Sequence, residues 1–298
     1  MAEDLIKRYQ PVRLKYFACT TNDTHRSIRP PIILLHGMFG GSSSWNRIKC
    51  ELSNRTRRKV FSVDLRNHGE SEYSDEFTLQ HLTSDLLQFM RDQNIPRAIL
   101  IGHSVAGRAC IQLALLKPEM VEQLVVEDIS ISDVSDSKRI ALKNLISNMQ
   151  KVVSQLPVYM SLNDAHNMIQ RLMQKHMVHF AANGETSALE KALLFKKNSS
   201  TGAFEFCFNV NVLLKSLDSI HLLRNDLSGD PVYLDKALFL SGQHSVIPLD
   251  EDRDLILKHF PRAQFAVVNK GYHCTHAESP TEFVRIVSDF LTSEEERL

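Results

Sequence analysis

Gly102-His103-Ser104-Val105-Ala106-Gly107 follows the apolar run Ala98 to Ile101 and precedes the helix-period run Cys110 to Leu116. A serine at so sharp a strand-to-helix turn takes a strained backbone conformation that lifts its hydroxyl above the strand ends, where it can act as a nucleophile. The turn calls for small residues two before and two after the serine. Gly102 meets the first demand; Ala106 puts a methyl where glycine is usual, with Gly107 beside it. A glycine-rich strand-to-helix turn is also common as a mere turn, so Ser104 needs partners elsewhere in the chain.

Two further segments supply them. His36-Gly37-Met38-Phe39-Gly40-Gly41 follows the strand-like Ile32 to Leu35. Its glycines let backbone N–H groups turn toward a substrate oxygen, and the Met38 and Val105 amides would form a two-donor oxyanion hole. Losing one such donor typically costs about 3–4 kcal/mol of transition-state stabilisation. By itself this segment reads equally as a glycine turn; before a Gly-x-Ser turn at a successive strand end it reads as functional. The third segment is Gly271-Tyr272-His273-Cys274-Thr275-His276-Ala277-Glu278-Ser279-Pro280. A serine hydroxyl needs a base at neutral pH, and histidine titrates in that range, which makes His273 the candidate. His276 competes, and His-x-x-His-x-Glu can in principle hold a metal. No third ligand is evident, so no metal is expected, and His276 is expected to pack and hydrogen-bond near the start of the last helix.

The first half of the chain alternates β-branched runs with amphipathic stretches: Val12 to Ala18, Ile32 to Leu35, Val60 to Val63, a helical face from Leu79 to Met90, then Ala98 to Ile101 and Leu124 to Val126. That rhythm predicts a parallel sheet. From about Ser130 to Asp230 the pattern turns helical, and five of the nine methionines lie between Met149 and Met177. Such a stretch suits either a pliable cap over an apolar pocket or ordinary amphipathic helices, and Met173 with Met177 fits the latter. Strand rhythm returns at Ala237 to Leu240 and Gln264 to Val268, with helices near Asp254 to Phe260 and Pro280 to Leu291. The chain is thus expected to be one domain, with a core of 1–129 and 231–298 and a helical cap of about 130–230.

Composition sets the outer limits. Lys plus Arg equals Asp plus Glu at 35 each, so no net field gathers phosphate, and nucleic acid is not an expected partner. With 43% hydrophobic and 23% charged residues the chain is of ordinary globular composition. Its longest apolar runs fall far short of the ~20 residues that span a bilayer. The five cysteines are odd in number and scattered, with no CxxC pair to suggest zinc or a redox dithiol, and a reducing compartment is the simplest reading. The opening residues carry early acids and no signal core, so a cytoplasmic location is expected.

Taken in order, His36-Gly-x-x-Gly, Val63-Asp64-Leu65-Arg66-Asn67-His68-Gly69-Glu70-Ser71, Gly102-His-Ser104, Val126-Glu127-Asp128-Ile129-Ser130, Phe260-Pro261-Arg262-Ala263 and His273-x-x-His276-Ala277-Glu278 form one series. It resembles the α/β-hydrolase superfamily, and within it the branch of abhydrolase domain-containing proteins and bacterial esterases. The resemblance runs from about Pro30 to Phe290. It implies an α/β-hydrolase fold with a mostly parallel eight-stranded sheet flanked by helices and a helical cap between strands six and seven. It also implies serine-esterase or lipase activity on short acyl esters or glycerolipids, a small-molecule ester or lipid as partner, and no cofactor; relatives of this type can be mitochondrial.

The acid of a Ser-His-acid triad commonly follows strand seven in this superfamily, but that loop here reads Gly242-Gln243-His244-Ser245. Ser245 can orient a histidine yet cannot balance imidazolium charge. Some relatives use the end of strand six, where Asp128 stands, and some a site in the cap, where this chain offers only Asn211. Asp128 is therefore the expected acid, with Ser245 helping to orient the histidine; on chemistry alone a strand-end aspartate equally caps the following turn. Ser104 argues against the epoxide hydrolases and dehalogenases of this fold, which need an aspartate at the elbow. Ala106, Ser245 and Tyr272 depart from the usual pattern and keep a non-catalytic ligand-binding or scaffold role as the alternative. Asp64, Arg66 and His68 read as a structural loop. Trp45 and Phe39 read either as acyl-pocket lining or as plain core.

Overall fold

The computed structural model describes residues 2–20, 29–176, 195–218, 224–247 and 249–293. In chain order the elements are α1 (Ala2–Arg8), β1 (Tyr16–Cys19), β2 (Ile32–Leu35), α2 (Lys49–Thr56), β3 (Val60–Val63), α3 (Leu79–Asp92), β4 (Ala98–His103), α4 (Val105–Leu116) and β5 (Val121–Glu127). There follow α5 (Asp136–Gln155), α6 (Leu162–His176), β6 (Phe195–Lys197), β7 (Phe204–Phe206), α7 (Val210–Ser216), β8 (Lys236–Gly242), α8 (Arg253–His259), β9 (Ala263–Val268), α9 (Thr275–Glu278) and α10 (Pro280–Thr292). The side chain of Met173 and the whole of Met177 lie outside the described residues.

The main sheet runs β1-β3-β2-β4-β5-β8-β9, with β1 antiparallel and every other pair parallel. Its central strands are buried on both faces, which is why they read as continuous apolar runs. Alternate residues serve opposite layers: Ile33, Leu35, Leu100 and Val126 pack with α3 and α4, while Ile32, Leu34, Ile101 and Val125 pack with Trp45, Leu52 of α2 and Phe283 of α10.

Among the described residues this sheet has seven strands where the resemblance implies eight. The stretch from Val12, read as strand, pairs only from Tyr16 onward. Before that point its amides bond to side chains: Val12 N–H to Asp85, Arg13 N–H to Glu72 and Lys15 N–H to Ser71. The β-branched pattern marks extended backbone but not the partner it bonds to.

Between β5 and β8 the described chain adds nothing to the main sheet; it forms α5, α6, the antiparallel β6–β7 hairpin and α7. No helix among the described residues is long and apolar enough to cross a membrane.

The cysteine reading is corrected in one respect. Cys19 at the end of β1 and Cys50 at the start of α2 form a disulfide across 31 residues of sequence, while Cys110, Cys207 and Cys274 are free. Their proximity arises from α2 packing beside the sheet edge, which residue spacing does not reveal.

Candidate active site

The site assembles on the carboxyl edge of the sheet, where parallel strands release their loops on one side. His103 and Glu127 are register partners at the ends of β4 and β5, so Ser104 and Asp128 are the first residues beyond two neighbouring strands. The next strand ends carry Ser245, three residues past β8, and His273, five past β9.

Ser104 adopts φ 54° and ψ −126°, a left-handed conformation costly for any residue with a side chain, and it caps the start of α4. Its N–H donates to the Glu127 carbonyl at 2.9 Å. A Cβ at Gly102 would lie 2.7 Å from Gly107 Cα and 2.8 Å from the Ala106 carbonyl oxygen, so the glycine is obligatory where strand meets helix. The close approach falls on Gly107 rather than on residue 106. Ala106 is buried with its methyl in the core, and the extra carbon is accommodated.

His36 shapes the second segment. Its Nε2 accepts the Leu65 N–H at 3.0 Å, so the ring hydrogen sits on Nδ1 and is donated to the Gly37 carbonyl at 2.8 Å. Burial, followed by the neighbouring His68, holds the His36 pKa well below the ordinary histidine value, in keeping with a neutral ring. A trans peptide points C=O and N–H in opposite directions. Pinning the Gly37 carbonyl therefore turns the Met38 N–H away from His36. A Cβ at Gly37 would meet His103 Nδ1 at 2.6 Å and Ser104 Cβ at 3.3 Å, so the loop lies directly against the nucleophile turn. Among the described residues, neither the Met38 N–H nor the Val105 N–H has an acceptor.

The structural reading of the 64–71 loop also finds its atoms. Arg66 makes a buried ion pair with Asp85 at 2.6 Å, Asp64 accepts the Ser42 N–H at 2.6 Å, and His68 lies 2.6 Å from the Met38 carbonyl. These contacts brace the Met38 loop from behind.

His273 Nδ1–H donates to Asp128 Oδ2 at 2.7 Å, leaving Nε2 to accept a proton. Burial lowers the His273 pKa, but the bond to Asp128 and that carboxylate's charge outweigh it, and the net shift is upward. Asp128 is fully buried and holds φ 51°, a second strained position. Ser245 Oγ–H donates to the same Oδ2 at 2.7 Å. Ser245 thus bonds to the Asp128 carboxylate and not to the histidine ring itself. Asn211 is elsewhere, on α7, accepting from Gln150 Nε2 at 3.2 Å.

Several positioning groups escaped the sequence. Glu278 accepts the N–H groups of Tyr272 and Cys274, the two neighbours of His273, and His103 Nε2–H donates to the His273 carbonyl at 2.8 Å. Glu127 is completely buried. It accepts from Thr275 Oγ1 at 2.6 Å, His276 N at 2.9 Å and His276 Nδ1 at 2.8 Å. His276 and Glu278 are thereby committed to carboxylate–imidazole and backbone bonds; among the described residues no group of metal-ligating side chains converges. Trp45 is fully buried and stacks on His276 with ring centroids 4.1 Å apart, while Phe39 packs 5.8 Å from Phe208. Only the His-x-x-His-x-Glu spacing hinted at this framework.

Residues 30–280 match the family described as alpha/beta hydrolase fold. The chain is 30% identical over 265 residues to the sn-1-specific diacylglycerol lipase ABHD11 of Danio rerio, covering 88% of this chain and 78% of that one. It is 28% identical over 262 residues to a putative esterase/lipase of Haemophilus influenzae, covering 88% and 83% respectively. Among solved structures, a marine microorganism esterase superposes with a TM-score of 0.73 at 21% identity, covering 94% of this chain and 99% of that one. Since the family match spans every strand end that carries Ser104, Asp128 and His273, this chain belongs to the α/β-hydrolase fold family.

Proposed function

We propose that this protein hydrolyses carboxylic esters, either short acyl esters or acylglycerols, through an acyl-enzyme on Ser104. The observation that carries the reading is the 2.7 Å contact between His273 Nδ1 and buried Asp128, on the same sheet edge as the strained Ser104, which leaves His273 Nε2 to serve as a base. Ser104 Oγ attacks the ester carbonyl carbon while His273 Nε2 takes its proton. The oxyanion is held by the Met38 and Val105 N–H groups, and Asp128 balances the imidazolium. Collapse of the tetrahedral species expels the alcohol, which receives the proton from His273. Water, deprotonated by His273, then cleaves the acyl-enzyme.

The lipase and esterase relatives support an ester or lipid substrate. Residues of about 130–230 are proposed as the cap, since α5, α6, the hairpin and α7 leave the sheet between β5 and β8. A chromogenic short acyl ester is expected to give a burst of alcohol followed by steady turnover, and diacylglycerol to release fatty acid; Ser104→Ala abolishes both. A folded wild-type protein that turns over neither substrate contradicts the proposal.

A further inference from the structure

Glu127 and Asp128 are consecutive carboxylates, both fully buried, at the end of one strand. Strand alternation sends Glu127 to the face of Val125, the layer of Trp45 and Phe283, while the left-handed backbone at residue 128 turns Asp128 onto the His273 ring. Glu127 reaches the same segment three residues further on. Its carboxylate takes the Thr275 hydroxyl and both the backbone and ring N–H of His276, at the start of α9. The His276 ring is held between Trp45, at 4.1 Å, and His103, at 5.1 Å, and His103 in turn donates to the His273 carbonyl. The catalytic loop is thus tied to a single strand end at two points, one through each carboxylate.

We propose that Glu127, acting through Thr275 and His276, is a second acid of the site, a positioning residue whose buried charge and bonds hold His273 in register with Ser104. This rests on the serine-hydrolase reading above. The titratable groups facing His273 are Asp128, Glu127, Glu278 and His103. Burial disfavours the Glu127 carboxylate, but the charges of His276 and His103 and the bonds from His276 and Thr275 outweigh it and bring its pKa down to about 2. A fixed negative charge beside the imidazole favours its protonated form, as Asp128 does. Removing it moves the His273 titration to lower pH.

The test uses the full chain and a soluble chromogenic ester. Glu127→Gln keeps the shape and deletes the charge. It is expected to lower kcat on the order of 10²-fold with KM little changed, since small misplacement of a base carries that penalty, and to shift the acid limb of the kcat/KM profile to lower pH. Thr275→Val removes one bond and leaves the charge; it lowers kcat by less and leaves the acid limb in place. This second variant keeps the test open if Glu127→Gln does not fold. A Thr275→Val protein with wild-type kcat, or a folded Glu127→Gln protein with wild-type kcat and acid limb, overturns the proposal while wild-type turnover preserves the hydrolase reading. A wild type without Ser104-dependent turnover overturns both.

Discussion

Asp128 occupies backbone that disfavours a side chain, lies wholly out of water and spends one oxygen on two donors, His273 Nδ1 and Ser245 Oγ. On the proposed reading that arrangement holds the imidazole of His273 and balances its charge. Asp128→Asn preserves the outline but presents either an N–H group or an uncharged oxygen to His273. It is expected to lower kcat by about 10³–10⁴-fold, measured on a soluble ester, with unfolding still cooperative. Ser245→Ala deletes one neutral bond and is expected to have a much smaller effect. Equal losses in the two variants would show that Asp128 contributes packing alone. Ser245 stands at the strand end where the acid is usual in this superfamily, and its 2.7 Å bond reaches the Asp128 carboxylate at the neighbouring strand end.

The Met38 loop, the nucleophile turn and α9 are placed by contacts that cross between elements. Gly37 shows how tight they are, since a Cβ there would lie 2.6 Å from His103 Nδ1 and press on Ser104. Gly37→Ala is expected to displace the Met38 amide and lower kcat by about 10²–10³-fold, the usual loss for one oxyanion donor, with KM nearly constant. Steady-state kinetics at fixed pH reads this directly, and an unchanged kcat would remove Met38 from the oxyanion hole. Elements whose pattern is set by their own burial were legible from sequence: β2, β4 and β8 as unbroken apolar runs, α3 by its periodicity. Elements defined by a partner were not. Residues 12–15 look like strand yet bond to Asp85, Glu72 and Ser71, and Cys19 looks unpaired yet meets Cys50. Ser104, His273, Met38 and Val105 could be proposed from sequence because the expected chemistry fixes type and spacing together. Glu127 could not, since a buried carboxylate facing an imidazole leaves no local pattern.

Across the molecule, two apolar layers clamp a mostly parallel sheet whose carboxyl edge carries Ser104, Asp128 and His273, while the described chain between β5 and β8 adds no strand to that sheet. The strain at Ser104 and Asp128 persists because those layers hold β4 and β5 rigid beneath them. On the proposed reading, activation of Ser104 is a property of the folded whole. Labelling with a fluorophosphonate, which reacts covalently with activated serines, tests this most directly. The folded wild-type protein is expected to gain one adduct, mapped to Ser104 by mass spectrometry; Ser104→Ala is expected not to label, and unfolding before exposure abolishes the reaction. A folded wild type that stays unlabelled, or an adduct that persists in Ser104→Ala, would contradict the account.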